Sequence, residues 1–412
     1  MKEQTEDKRK SEIRKLETED LHQFYKIHTI VYNQRRDYSK EENQKIDPLD
    51  HPANWVWGVF DGKKLLAGMF ELDYLMRFDG HSVKMSGIGG VGTLPEARKG
   101  GFVRRIFEKL LPEAYEKDVI FSNLTPFSHD FYRKFGYEIA CARNKITIST
   151  GDLSEIKTKG EFVHILPGDD TSALAEIHSA YIANINHGIH RDYWSDNRAW
   201  KRFTREDPYT TGTFLYLWKD ETGKPRSYIK YQDVTGDDGD HNMSVIELIY
   251  IDMKGLYGAL SITGGLSAQF ENFKWLMPAF IDPFDFIGDA WSVETQFLGR
   301  DMTRVVNVKK ALELMRHPKT EGEYIIEVED EQIAANTGKY HVQFGKQGVK
   351  VTPTKKDEDI CCDMLTLSQL ITGYRSLENA MYSRQEGLEV YDNEETLKSV
   401  FTLRPQHVTE YF

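Results

Sequence analysis

The sequence predicts an α+β protein built on mixed sheets and laid out in three successive units. Three observations predict it. Short apolar runs of strand character alternate with amphipathic helical spacings through the first 150 residues. The same order restarts near residue 151, and from about 301 it gives way to alternating strands with one short helix. A length of 412 residues suggests about three domains, each able to bury a core. The units therefore read as 1–150, 151–300 and 301–412.

The first unit opens with residues 13–33, where Leu16, Leu21, Phe24, Ile27 and Ile30/Val31 recur at helical spacing, so the expectation is one long helix. A polar linker follows. Trp55–Phe60 and Leu65–Leu72 are apolar runs separated by Asp61-Gly62, a strong hairpin signal. A second turn at Phe78-Asp79-Gly80-His81 leads into a Gly-interrupted strand, Gly87–Leu94, which Pro95-Glu96-Ala97 ends. Arg98-Lys99-Gly100-Gly101 then precedes a helix whose apolar pairs Phe102/Val103, Ile106/Phe107 and Leu110/Leu111 lie four residues apart.

That stretch is built to hold a phosphorylated ligand. The first turn of a helix has N–H groups without intrahelical partners and the positive end of the dipole, so an anion is stabilised there. Gly100 and Gly101 remove the side chains that would keep a phosphate from the backbone. No Gly-Lys-Ser/Thr follows at P-loop spacing, and the glycines 87, 89, 90 and 92 lie inside the strand, which excludes a dinucleotide fingerprint.

Val119–Leu124 is a short buried-type strand, His129–Phe135 a short helix ended by Gly136, and Tyr137 through Ile148 the next strand. In the second unit Thr171–Asn184 and a segment around Tyr193–Phe203 read as helices. Phe214–Trp218, Ser227–Tyr231 and Ser244–Asp252 read as strands, and a helix is expected near 256–271. No basic, Gly-rich loop stands at the corresponding place, so this unit reads as a second, cofactor-free copy of the first. In the third unit Tyr324–Val328 and Tyr340–Phe344 are strands and Leu367–Tyr374 a short helix.

Composition narrows the function. Hydrophobic residues make up 40% and aromatic ones 12%, which is globular rather than disordered. With 53 Lys+Arg against 65 Asp+Glu the net charge is −12, which argues against nucleic-acid binding and suits a cationic, amine-bearing substrate. Cys141, Cys361 and Cys362 form no disulfide framework or metal spacing, and His187-Gly188-Ile189-His190 lacks a third ligand, so no metal is expected. Residues 1–20 are mostly charged and no run reaches membrane-spanning length; the expectation is a cytoplasmic protein with no membrane partner.

Arg98-Lys99-Gly100-Gly101-Phe102-Val103 resembles the acetyl-CoA loop of the GNAT superfamily of N-acetyltransferases, Arg/Gln-x-x-Gly-x-Gly/Ala, matching at Arg98 and Gly101 and departing at Val103. Phe131-Tyr132-Arg133-Lys134-Phe135-Gly136-Tyr137 is similar to the tyrosine-bearing signature of the same enzymes. The three-part order, with the C-terminus Thr409-Glu410-Tyr411-Phe412, resembles the enhanced intracellular survival (Eis) branch. That resemblance implies two tandem GNAT-like domains followed by a sterol-carrier-protein-like domain, and a homo-oligomer, a hexamer.

It further implies acetyl-CoA as co-substrate and an amine acceptor, either a small molecule of aminoglycoside type or a lysine side chain. Tyr132 is the implied general acid and Phe412, through its terminal carboxylate, the implied general base. The backbone of Val91, Gly92 and Thr93 would hold the pantetheine and acetyl oxygen. That of Lys99, Gly100, Gly101, Phe102, Val103 and Arg104 would hold the pyrophosphate, with charge from Arg98 and Lys99, and Phe127 and Ser128 would line the cofactor. Asn123 is a further candidate there, and Glu71, Asp73 and Glu410 are candidates for recognising a polycation. A phenol near pKa ~10 can reprotonate a thiolate near ~8.5, and a carboxylate near ~3.5 can take the proton that attack has made acidic. Two other classes stay open: an apolar-ligand carrier built on residues 324–374, and a CoA-binding regulator without catalysis.

Overall fold

The computed structural model describes residues 11–33, 55–193, 197–236 and 239–410. The expected first helix is shorter than its apolar spacing suggests. Glu12–Lys15 is a strand, β1, paired antiparallel with Trp57–Phe60 of β2 (Val56–Asp61), and helix α1 begins only at Leu21, running to Val31. The backbone groups of 12–15 find partners along β2, which no helical turn there could offer. β3 (Lys64–Phe78) and β4 (His81–Thr93) follow as a long hairpin. Its turn residues Asp79 and Gly80 both have positive φ, 45° and 88°, as a two-residue hairpin of right-handed twist requires.

Helix α2 (Phe102–Glu116) buries the predicted stripe, Phe102 through Ala114, against this sheet. β5 (Phe121–Leu124), helix α3 (His129–Arg133) and β6 (Glu138–Ser149) complete the first run. The second unit repeats it with β7 (Gly160–His164), helix α4 (Ser172–Ile182), β8 (Thr213–Asp220), β9 (Pro225–Thr235), β10 (His241–Tyr250), helix α5 (Met253–Leu260), β11 (Asn272–Pro278) and β12 (Val293–Val305). The single helix expected near 256–271 is two short ones, α5 and Ile262–Leu266, and β11 already starts at Asn272.

Both copies share one twelve-stranded sheet in the order β1-β2-β3-β4-β5-β12-β6-β11-β10-β9-β8-β7. The final strand of each copy is exchanged. β5 pairs antiparallel with β12 from the second copy, β11 pairs antiparallel with β6 from the first, and β6 and β12 pair with each other at the centre. Residue 300 thus lies within a strand that the first copy shares.

The third unit has a five-stranded sheet of β13 (Gly322–Glu329), β14 (Gly338–Gly345), β15 (Gly348–Pro353), β16 (Ile360–Asp363) and β17 (Leu388–Val390), with helix α6 (Met364–Thr372) behind it. Its core is continuous with the back of the first sheet: Phe78, Phe121 and Val305 belong to one apolar cluster with Tyr324, Leu367 and Leu370. The fold is a mixed α+β architecture throughout.

Candidate active site

The site opens where two parallel strands part. β4 and β5 run side by side only from the pair Met85 and Phe121 to the pair Ile88 and Leu124, where β5 ends. β4 continues to Thr93 with β3 along one edge. Just past the fork its register against β3 slips between Gly68 and Phe70, placing Gly90 and Val91 opposite one residue. Gly90 takes φ +56°, and a Cβ there would lie 2.5 Å from His28 Nε2 and 2.6 Å from the Phe70 ring. This bulge re-aims the following backbone. Helix α1 braces it: His28 Nε2 lies 2.9 Å from the Gly90 carbonyl oxygen, and the Tyr32 hydroxyl donates to the Val91 carbonyl at 3.2 Å.

Beyond β4 a short turn at Pro95–Ala97 leads to Lys99 (φ 63°) and Gly101 (φ 74°), and Gly101 opens α2. A Cβ on Gly100 would meet the Ala97 carbonyl oxygen at 2.9 Å. The first intrahelical bond runs from the Arg105 N–H to the Gly101 carbonyl at 3.1 Å. The N–H groups of Phe102, Val103 and Arg104 precede it, and no side chain caps this end. The close-packed glycine and open amides fit a phosphate of a CoA-type ligand.

The fork and the loop enclose a cavity of about 750 Å³. Of the residues expected to hold the cofactor, Val91, Gly92, Thr93, Arg98 through Arg104 and Phe127 all line it. Ser128 is not part of that lining; it is the extended residue immediately before α3. Tyr32 and Val31 from α1 close one side, and Phe131 and Lys134 another, none of which the sequence singled out. Lys134 stands on the tyrosine-bearing turn and was within reach of a motif reading, whereas nothing local announces that α1 returns to β4.

Tyr132 sits behind this wall, 2% exposed. Its ring centroid is 5.3 Å from that of Phe127 and 5.1 Å from that of Phe131. Burial, with smaller contributions from the Tyr32 and Tyr137 phenols, pushes its ionisation far above the usual range, so the hydroxyl keeps its proton.

Phe412 and Tyr411 lie outside the described residues, and the chain is followed to Glu410. The segment before them is firmly held. Asn186 donates its N–H to the Pro405 carbonyl (3.0 Å) and accepts from the His407 N–H (2.9 Å), Arg143 donates to the Val408 carbonyl (2.6 Å), and the Ile189 N–H donates to Thr409 Oγ1 (2.9 Å).

Asn123, Glu71 and Glu410 are engaged within the fold. Asn123 is buried, 3.1 Å from His187 Nδ1 through its amide nitrogen and accepting from the Thr303 hydroxyl at 3.0 Å. Glu71 takes a hydrogen bond from Trp57 Nε1 (2.7 Å) and an ion pair with Lys15 (3.2 Å); Glu410 pairs with Arg191. Asp73 is exposed on β3. His187 is fully buried, which lowers its pKa to about 4, and His190 lies 3.1 Å from the Ser82 hydroxyl. Among the described residues no group of three metal-ligating side chains occurs. In the second copy the matching helix end is closed: the Asp252 carboxylate accepts from the Gly255 N–H at 2.8 Å and pairs with Arg226, occupying the place an anion would take.

Residues 12–140 match the acetyltransferase (GNAT) domain family and residues 308–408 the sterol carrier protein domain family. No curated protein matches the chain. Among solved structures it is similar to a probable N-acyltransferase of unknown function from Enterococcus faecalis V583, with a TM-score of 0.84 at 21% identity, covering 98% of this chain and 100% of that one. A GCN5-related N-acetyltransferase from Anabaena variabilis gives the same figures. Eis1 from Mycobacterium abscessus gives 0.76 at 17% identity over 98% and 100% of the two chains. At such identities these likenesses show the fold, and they extend over all three units.

Proposed function

On the premise that the chain is an N-acetyltransferase with a GNAT domain at 12–140, we propose that it carries acetyl from acetyl-CoA to a primary amine of a multi-amine acceptor. That acceptor is of aminoglycoside type or a lysine side chain. The observation that carries this reading is the cavity whose lining joins open helix amides and the cations Arg98, Lys99, Arg104 and Lys134 to a wall backed by a buried, protonated Tyr132.

Acetyl-CoA supplies a thioester, whose acyl carbon is activated and whose sulfur departs. The α2 amides and the basic residues hold its phosphates. The backbone N–H groups of Val91 to Thr93 hold the pantetheine and the acyl oxygen, where fixed donors stabilise developing negative charge. Tyr132 gives its proton to the departing sulfur, and the Phe412 carboxylate takes the proton that leaves the attacking nitrogen. The carbon–nitrogen bond forms as the carbon–sulfur bond breaks, and the two protons balance.

The acidic protein draws a cationic acceptor towards the site. We place the chain in the cytoplasm as a homo-oligomer, a hexamer by family likeness; among the described residues no helix is long and apolar enough to cross a membrane. Light scattering that gave a 47.7 kDa monomer would end the oligomer reading.

The deciding experiment is thiol release from acetyl-CoA with and without an aminoglycoside. Acceptor-dependent release supports the reading. No release from a protein that still binds CoA would turn it into a regulator.

A further inference from the structure

The glycines of β3 and β4 let helix α1 come directly against the strand backbone. Phe24, Ile27, His28, Val31 and Tyr32 recur three and four residues apart and so share one face of α1. A Cβ on Gly92 would lie 2.7 Å from Ile27 Cγ2, and one on Gly68 would lie 2.9 Å from the Phe24 ring. Polar side chains on this face can therefore reach main-chain atoms of β4.

Two of them do. His28 Nε2 meets the Gly90 carbonyl at 2.9 Å, and one turn later the Tyr32 hydroxyl donates to the Val91 carbonyl at 3.2 Å. A carbonyl only accepts, so the His28 contact requires the hydrogen on Nε2. The imidazole is wedged in place, its centroid 4.5 Å from that of Phe24, 5.5 Å from that of Phe70 and 5.0 Å from that of Tyr32.

The two carbonyls belong to the two peptide planes that meet at the Val91 α-carbon. In a planar trans peptide the carbonyl and the N–H point in opposite directions, so holding the Gly90 carbonyl fixes where the Val91 N–H points. These planes lie where the register against β3 slips, and the regular ladder is interrupted there. Val91 and Tyr32 both line the cavity.

We infer that His28 and Tyr32 are positioning residues for the acetyl transfer: from α1 they fix the peptides on either side of Val91 and so aim its N–H at the acyl oxygen of acetyl-CoA. This rests on the proposed reading of that amide as a donor to the acyl oxygen. Such a donor acts by being in place before charge develops. Misplacement by about 1 Å at a reacting group lowers turnover about a hundredfold.

The test uses the full-length protein with Tyr32→Phe, His28→Leu and His28→Gln, the last of which keeps an N–H donor near the position of Nε2. Turnover is followed as thiol release with an aminoglycoside, CoA affinity by calorimetry, and the acyl carbonyl of bound, ¹³C-labelled acetyl-CoA by infrared difference spectroscopy. Tyr32→Phe and His28→Leu are expected to lower kcat about tenfold with CoA affinity within about twofold. In both, the carbonyl band should move from its hydrogen-bonded position back towards that of free acetyl-CoA. His28→Gln should restore most of what His28→Leu loses.

Unchanged kcat and an unmoved band in Tyr32→Phe and His28→Leu overturn the inference. A parallel loss of CoA affinity overturns it too, since that would show a general disturbance of the cavity. Equal losses in His28→Gln and His28→Leu would make packing, not the hydrogen bond, the cause and would have the same result. A lowered kcat with an unmoved band would make these residues contacts of the substrate instead of positioning residues. If the protein binds acetyl-CoA but releases no thiol, the transferase reading falls and the band alone decides: a band already at the free position overturns the inference, and a shifted one that the substitutions release supports it. Should His28→Leu unfold, Tyr32→Phe, which deletes one hydroxyl from a half-exposed ring, carries the test.

Discussion

Burial keeps the Tyr132 phenol protonated, and that dictates how turnover depends on pH. A raised folded-state pKa means the acid form persists as pH rises through neutrality and is lost only above the ordinary phenol range near ~10. With Tyr132 as the acid, kcat should therefore show no alkaline fall between about pH 7 and 9.5. A fall with a midpoint near 8 would assign the proton to another group. Tyr132→Phe should lower kcat by about 10² to 10⁴ and leave CoA affinity, measured by calorimetry, nearly unchanged. Residues of the anion loop were legible in the sequence because their chemistry is local: Arg98, Gly100 and Gly101 adjoin in the chain the helix end they serve. Tyr32 and Asn123 were not. The first reaches Val91 from a helix 59 residues away, and the second is committed to His187, 64 residues on, so only packing decides their roles.

At the level of elements, one helix end is open and its counterpart is closed. Gly101 has φ +74° at the start of α2, so Gly101→Ala should cost about 1 kcal/mol of stability and weaken CoA binding while kcat at saturation holds. Arg98→Glu and Lys134→Glu should raise KM for acetyl-CoA with little change in kcat, and the effect should shrink in high salt, where exposed charges are screened. α2 was readable because its stripe repeats at 3.6 residues over four turns. β1 was not, since a four-residue charged strand at the border of a sheet leaves no apolar periodicity to find, and charge is what such a border favours. The Asp252 cap equally escapes notice until Gly255 is seen to donate to it.

Across the whole molecule the hairpin tip of β3 and β4 ties the units together. Asp79 pairs with Arg404 Nε at 3.0 Å, accepts from the Arg316 N–H at 2.8 Å and exchanges hydrogen bonds with Asn186, so residues of all three units meet there. Both side chains of the ion pair are 2% exposed. Asp79→Ala leaves a buried guanidinium unpaired and should destabilise the protein by about 3 kcal/mol, visible as a lowered Tm in calorimetry. The restart of the pattern near 151 made the two copies legible in the sequence. Their exchange of β6 and β12 was not, because which strand fills a central slot is decided by partners about 150 residues apart, and local alternation says nothing of them. That exchange governs how the protein can be made. Ribosomes add about 5–20 residues per second, so after Leu124 emerges the chain must grow for on the order of ten seconds before Val305 can fill the gap beside β5. During that interval a nascent first unit carries an unsealed seam, a natural stop for chaperones, and a gene cut at codon 150 should yield inclusion bodies rather than a working half-enzyme.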